Sequence, residues 1–359
     1  MTAPIAKTSS SKTNAGNFFE DFRVGQEIVH ATPRTITTGD VAVYTALYGS
    51  RFAVQSSDAF AQAIGLARAP VDDLLVFHVV FGKSVPDVSL NAVANLGYAE
   101  CQFVKPVFTG DTLSARSDVI GLKENSNGET GVVYVRTTGR NQHGEIVLSF
   151  VRWVMVRKLR KDAAAPQPVV PNLAAFVKPE TLGVCVPKID PADYDTSVSG
   201  SPYRFGDYAP GELIDHADGV TVEEAEHQLA TRLYQNTAKV HFDGFAAKQT
   251  RFGRRLIYGG VVISVARALS FNGLGNAFKI AAINGGRHVA PLFAGDTVYA
   301  MSEVIEIASV GARKDVGAIR LRTIATKDVP SGRIVELEGD RSTTDNVVLD
   351  LDYWVLLPR

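Results

Sequence analysis

Two short stretches of the chain carry side chains whose chemistry can go beyond packing. The first is Leu233-Tyr234-Gln235-Asn236-Thr237-Ala238-Lys239-Val240-His241-Phe242, where a carboxamide precedes an imidazole by five positions. An imidazole with an ordinary pKa of about 6.5 moves protons close to neutrality. Asn236 cannot act as a base, but its amide both donates and accepts hydrogen bonds and can orient a water. The second stretch, Arg251-Phe252-Gly253-Arg254-Arg255-Leu256-Ile257-Tyr258-Gly259-Gly260, leads into an apolar run that reads as a helix. A helix start offers unpaired N–H groups and partial positive charge, and glycine lets a ligand come close. Gly259 and Gly260 are therefore placed to stabilise a developing negative charge, and Arg251, Arg254 and Arg255 to meet an anion. Each feature has a plainer reading: a lone histidine among apolar residues is usually structural, asparagine caps helices, and arginine clusters are usually solvated.

The elements that must position these residues occur twice. Glu20-Asp21-Phe22-Arg23-Val24-Gly25-Gln26-Glu27-Ile28-Val29-His30 returns as Gly206-Asp207-Tyr208-Ala209-Pro210-Gly211-Glu212-Leu213-Ile214-Asp215-His216. Pro106-Val107-Phe108-Thr109-Gly110-Asp111-Thr112 returns 185 positions on, as Pro291-Leu292-Phe293-Ala294-Gly295-Asp296-Thr297. Similar apolar strands around Trp153 and Trp354 close each half. A steady offset predicts two copies of one domain, 17–158 and 200–359, after an N-terminal tail (1–16) and joined by an extended Pro- and Ala-rich linker (159–199) lying along the surface. In each copy a helix-competent region (39–48; 222–234) precedes a longer apolar run (74–85; 260–274). Four strand-like runs follow, which in the first copy span 95–103, 112–122, 131–140 and 146–157. The segments 139–145 and 327–333 have the composition of hairpin turns. One long helix before an antiparallel sheet is an α+β plan.

Composition narrows the function classes. The 359 residues hold 37 Lys+Arg against 38 Asp+Glu, a net charge of -1, which argues against general affinity for nucleic acid or anionic membranes. Two cysteines, Cys101 and Cys185, exclude a disulfide framework or a Cys-rich zinc site and fit a reducing compartment. No run approaches the roughly 20 apolar residues of a membrane span, and the first 16 residues lack a signal-peptide core, so a cytoplasmic protein is expected.

The stretch 233–260 resembles the MaoC-like, (R)-specific enoyl-CoA hydratase family of hot-dog folds. That family's motif reads aromatic, small residue, Gly-Asp-x-Asn-Pro-aliphatic-His, then five residues and Ala or Ser. His241 falls at the motif histidine, Val240 at the aliphatic position and Ala247 at the terminal small residue. The sequence departs from the motif in carrying Asn236 for the Asp and Ala238-Lys239 for Asn-Pro. The first copy has Ser50 and Gln55 where Asp and His would stand, so the family's logic assigns catalysis to the second half.

The resemblance runs from Phe18 to Trp354 and implies a tandem, or double, hot-dog fold. Each copy would wrap a curved antiparallel sheet around a long central helix, and the two would pair as a pseudo-dimer with the acyl-CoA site at their seam. It also implies a hydro-lyase that reversibly hydrates a branched C5 dicarboxylic acyl-CoA, in acetate or C1 assimilation by the ethylmalonyl-CoA route. No metal or redox cofactor is implied, and CoA enters only as part of the substrate. An unbranched (R)-specific enoyl-CoA hydratase and a non-catalytic acyl-CoA binder are the alternatives.

Under this reading His241 and Asn236 are catalytic and Gly259 and Gly260 form the oxyanion hole. Arg251, Arg254 and Arg255 would meet the CoA phosphates. Tyr234, Tyr258, Lys239, Arg51, Gln55 and Asp73 are candidates for binding substrate. A dicarboxylic substrate calls for a cation in the pocket, and Arg51 and Lys239 are nearest by motif position. Asp73 aligns with Tyr258 at the helix start, where it either faces the cleft or, with Asp72, offsets the helix dipole. His78 reads as a core histidine, and His30 and His216 as equivalent packing positions. The partners implied are a small-molecule acyl-CoA and a second or third copy of the chain.

Overall fold

The computed structural model describes residues 12–333 and 345–359. Most of the expected N-terminal tail, residues 1–11, lies outside the described residues. Among the described residues ten strands form one antiparallel sheet: β1 (Glu27–Thr35), β2 (Ala92–Phe103), β3 (Thr112–Glu124), β4 (Thr130–Arg140), β5 (Ile146–Arg157), β6 (Leu213–Thr221), β7 (Lys279–Arg287), β8 (Thr297–Val310), β9 (Arg313–Lys327) and β10 (Val347–Pro358). Their order is β1-β3-β4-β5-β2-β7-β10-β9-β8-β6, so the second five repeat the first in mirror order. The halves join where Cys101 pairs with Ile283 and Gln102 with Ala282. Sheet continuity across this seam fixes the strand ends of one half against those of the other.

A central helix packs against the sheet of each half, Asp73–Ser84 and Gly259–Leu269. Eleven of the twelve residues of the first are buried, which is why its sequence is apolar all round rather than amphipathic. The two helices meet: His78 Nε2 lies 2.9 Å from Ser264 Oγ, and the Tyr44 hydroxyl donates to the same oxygen at 3.0 Å. Gly82 lets the first central helix pack directly on the backbone after the helix Glu224–Leu233, since a Cβ there would lie 2.9 Å from the Tyr234 carbonyl carbon. The second central helix ends earlier than its apolar run, because Gly273 takes a φ of 106° and kinks the chain.

Equivalent devices appear in both halves. Gly110 and Gly295 adopt left-handed φ values of 99° and 96°, and Asp111 and Asp296 accept from the backbone N–H of Phe108 and Phe293 at 2.9 and 2.8 Å. His30 contacts Ser117 at 2.7 Å and His216 contacts Ser302 at 2.8 Å, both buried.

Two expectations need revision. The linker is not merely laid on the surface: Leu182, Cys185 and Tyr194 enter a core cluster with Trp354, whose indole donates to the Val177 carbonyl at 2.9 Å. At 327–333 no tight hairpin forms. The positive φ falls on Asp328, a 3-10 turn covers Ser331–Arg333, and β10 resumes only at Val347.

Candidate active site

A cavity of about 290 Å³ opens between the two halves. Its second-half wall comes from the segment 236–241, the approach to the central helix with Tyr258 and Gly259, and the residues following β7. Its first-half wall comes from Phe81, Ser89, Asn95, Tyr98 and Arg152. The two walls therefore carry different ionisable groups, His241 and His288 on one and Arg152 on the other, supplied by different copies of the repeat.

His241 borders the cavity. Its Nδ1 lies 2.8 Å from the Leu256 carbonyl, so Nδ1 carries the proton and Nε2 keeps its lone pair. Burial pushes its pKa down to about 4, only partly offset by that hydrogen bond, so the ring is neutral at pH 7. Asn236 is buried on the same wall and accepts from the Ala238 N–H at 3.2 Å, closing a local turn beside the imidazole. Tyr258 precedes the central helix, where its N–H donates to His227 Nε2 at 3.0 Å. Its buried hydroxyl has no protein partner. Gly259 is the first residue of that helix and lines the cavity. Gly260 is buried just behind: a Cβ there would fall 2.5 Å from His78 Cε1 and 2.6 Å from Tyr258 Cζ, so this glycine serves close packing.

The remaining candidates divide. Arg251 lines the cavity mouth, with its guanidinium 4.6 Å from the Phe252 ring centroid. Arg254 stacks over Phe293 and Arg255 pairs with Glu224, both away from the lining. Tyr234 is buried in the core with its hydroxyl 2.7 Å from that of Tyr48. Lys239 points to solvent, and Arg51 lies over Phe271, beyond the far end of the central helix. Gln55 donates to the Phe278 carbonyl at 2.6 Å. Asp73 is occupied by Lys279 Nζ at 2.8 Å and the Ile280 N–H at 2.9 Å. None of Tyr234, Lys239, Arg51, Gln55 and Asp73 reaches the cavity; motif register placed them near it, but the pairing of the halves turns them into core, surface or a small separate pocket. His78, packed between the helices, has its pKa lowered to about 3 by burial.

Three lining residues escaped the sequence reading. His288 is half-buried, with both ring nitrogens buried and unpartnered, and its pKa is lowered to about 4 by burial of the ring and by His241. Its ring lies against Gly259, where a Cβ would fall 2.7 Å from His288 Cδ2. Arg152 is fully buried on β5, and Asn95 on β2 has both amide atoms buried without partners. The repeat contained a signal for two of them: the offset of 185 places Phe103 opposite His288, and the Trp153–Trp354 match places Arg152 opposite Tyr353. Positions where one copy has an uncharged aromatic ring and the other an imidazole or guanidinium are where the copies have diverged chemically.

The comparisons with known proteins agree with this architecture. Residues 5–168 match a family model described as mesaconyl-CoA hydratase. The chain is 59% identical over 350 residues to a β-methylmalyl-CoA dehydratase of Chloroflexus aurantiacus, covering 98% of this chain and 99% of that protein. It is 60% identical over 348 residues to a mesaconyl-CoA hydratase of Cereibacter sphaeroides, covering 97% and 100%. A solved structure, a putative MaoC domain protein dehydratase from Chloroflexus aurantiacus, superposes with a TM-score of 0.93 at 58% identity, covering 98% of this chain and 99% of that one. A divergent double hot-dog architecture, with its cavity at the seam of two unequal copies, and near-full-length identity of this order lead to one assignment: the chain belongs to the mesaconyl-CoA hydratase family of MaoC-like proteins.

Proposed function

We propose that the protein is a hydro-lyase that interconverts mesaconyl-CoA plus water and β-methylmalyl-CoA. The observation that carries this reading is the neutral His241, with Nδ1 committed to Leu256 and Nε2 available, in one cavity with Gly259 and His288. In hydration, a water held by Asn236 loses a proton to His241 Nε2 as its oxygen bonds to the β-carbon. The π electrons move onto the thioester oxygen, which receives the Gly259 N–H at the positive end of the helix. His288, neutral at pH 7, supplies a ring N–H to the same oxygen. The His241 imidazolium then returns its proton to the α-carbon, regenerating the neutral ring; dehydration runs the same steps backwards. A cavity at the small end of the usual range of roughly 300–1,000 Å³ favours a short acyl group over a long chain.

The chemistry requires side chains and backbone only, with CoA as part of the substrate and Arg251 at the mouth facing its phosphates. A cytoplasmic location follows from the same reading and from two buried free thiols. Among the described residues no helix is long and apolar enough to cross a membrane. Assembly into a dimer or trimer is part of the proposal, read by light scattering on the purified chain.

The test is hydration of mesaconyl-CoA and crotonyl-CoA by wild type and His241→Ala. The expected result is preferential turnover of mesaconyl-CoA and a kcat lower by about 10²–10⁴-fold in the variant. Equal use of crotonyl-CoA would make the protein a general hydratase, turnover of neither would make it an acyl-CoA binder, and an unimpaired variant would remove His241 from the chemistry.

A further inference from the structure

Four Lys or Arg residues are buried among the described ones: Lys83, Arg152, Arg267 and Lys279. Three are matched to a strong acceptor. Lys279 pairs with Asp73, Lys83 donates to the Thr32 carbonyl and Arg267 to the Ala277 carbonyl. Arg152 differs. Its Nη1 and Nη2 donate only to the hydroxyls of Ser89 and Ser84, at 3.3 and 2.8 Å, and its buried Nε–H has no partner. Further compensation comes from the Phe81 ring, whose centroid lies 4.2 Å from the guanidinium carbon, and from the neighbouring Tyr98 and Tyr258, none of which is an anion at neutral pH. Burial lowers its pKa only to about 10, so the group is a full cation at neutral pH. A buried charge facing neutral hydroxyls and a ring is costly to hold unless an anion comes to it.

The place where it is held supplies the second observation. Arg152 and Ser89 line the inter-half cavity, and so does Asn95, whose Nδ2 and Oδ1 are both buried and unpartnered. Arg152 sits on β5 and Asn95 on the neighbouring β2, where Asn95 is the cross-strand partner of Val154, two residues from Arg152. Residues two apart on a strand share a face, so the guanidinium and the carboxamide reach the same side of the sheet. The wall opposite carries His241, His288 and Gly259. An acyl group whose thioester and alkene face that second wall must direct whatever it carries at its far end toward Arg152 and Asn95.

We propose that Arg152 and Asn95 form the receptor for the distal carboxylate of the substrate, and so set the preference for dicarboxylic over monocarboxylic acyl-CoA. The assignment rests on the reaction proposed above. One carboxylate oxygen takes the free Arg152 Nε–H and the other the Asn95 Nδ2–H, and the ion pair that forms compensates a charge the free protein leaves without a counter-ion. Specificity then belongs to the half that has lost the motif's ionisable pair: the first copy reads the carboxylate, and the second moves the protons.

The experiment compares mesaconyl-CoA as substrate with tiglyl-CoA, in which a methyl group replaces the carboxylate, as competing ligand, for wild type, Arg152→Met, Arg152→Lys and Asn95→Ala. Arg152→Met is expected to lower kcat/KM for mesaconyl-CoA by at least about 50-fold, the usual consequence of leaving a buried carboxylate without its cation. Its Ki for tiglyl-CoA should stay within about threefold of wild type or tighten, because no carboxylate contact is involved. Arg152→Lys should recover part of the loss, since a point charge remains while the planar fork is gone. Asn95→Ala should show the same selective pattern at about tenfold, the scale of one hydrogen bond to a charged group, and it decides the matter if Arg152→Met fails to fold by circular dichroism. A folded variant in which mesaconyl-CoA turnover is unchanged, or in which both ligands weaken in parallel, overturns the assignment. Wild type that does not turn over mesaconyl-CoA overturns the reaction itself, which is a separate outcome.

Discussion

Gly259→Ala tests the site at its tightest point. The position begins the second central helix without a positive φ, so the backbone accepts alanine without strain. What it cannot accept is the volume: the new methyl would lie 2.7 Å from His288 Cδ2 and closer still to Cε1 and Nε2. Ordinary carbon contacts are about 3.5–4.0 Å, so the ring must retreat by on the order of 1 Å. The cavity gives it room, and the stability cost should be small, within about 1 kcal/mol, since alanine is also the better helix former. The chemical cost is larger. Moving a group that contacts the reacting atoms by about 1 Å can cost 10²-fold in rate, so kcat/KM for mesaconyl-CoA should fall about 100-fold while Tm changes by only a few degrees. Gly260→Ala is the control. Its methyl meets Tyr258 and the fully buried His78, which packs between the helices away from the cavity, and should destabilise the protein by about 1–3 kcal/mol. The assay is loss of enoyl-thioester absorbance alongside thermal denaturation of both variants. A Gly259→Ala protein that keeps its rate within threefold would show that His288 and the helix start do not contact the reacting atoms, and the oxyanion arrangement would have to be abandoned.

Two other perturbations separate structure from chemistry. Asp73→Ala leaves Lys279 nearly buried without its counter-ion and should cost about 3 kcal/mol of stability, with kcat/KM kept within a few-fold; a large loss of kcat at unchanged Tm would instead bring Asp73 into the reaction. Acid should destabilise the fold above the ordinary carboxylate range, opposed only by Asp72, whose pKa burial raises to about 6, because His78 and His227 have pKa values near 3, and His216, His241 and His288 near 4, all lowered first by burial. Their stability contribution is complete above the unfolded value of about 6.5 and is lost as pH falls toward 4, at roughly 2 kcal/mol per histidine between pH 6.5 and 5. Unfolding midpoints in denaturant at pH 7.5, 6 and 5 measure this, and a flat response over that window would mean that these rings are not desolvated.

The order of elements was legible in the sequence because it depends on local signals: apolar periodicity, turn glycines and a repeat that restates both. β5 ends where its pattern predicts, at Ile146 and Arg157, and the paired Gly-Asp turns keep the same backbone geometry in each half. His241 was legible for the same reason, since its motif is contiguous. The segment after β9 was misread because Ser331–Arg333 has turn composition, while the partner strand of β9 begins farther on, at Val347.

Which residues meet in the cavity was decided by tertiary structure. His288 follows β7, Arg152 lies on β5 and Asn95 on β2, and they converge only because the sheet runs unbroken through Cys101 and Ile283 and the two central helices meet at His78 and Ser264. Arg51, Lys239 and Asp73 carry charge at positions near the motif, yet the Phe271 ring, bulk solvent and Lys279 claim them. Composition and spacing determine which chemistry a chain has available. Burial and the absence of a competing partner decide which groups remain free to perform it, and both depend on atoms far away along the chain.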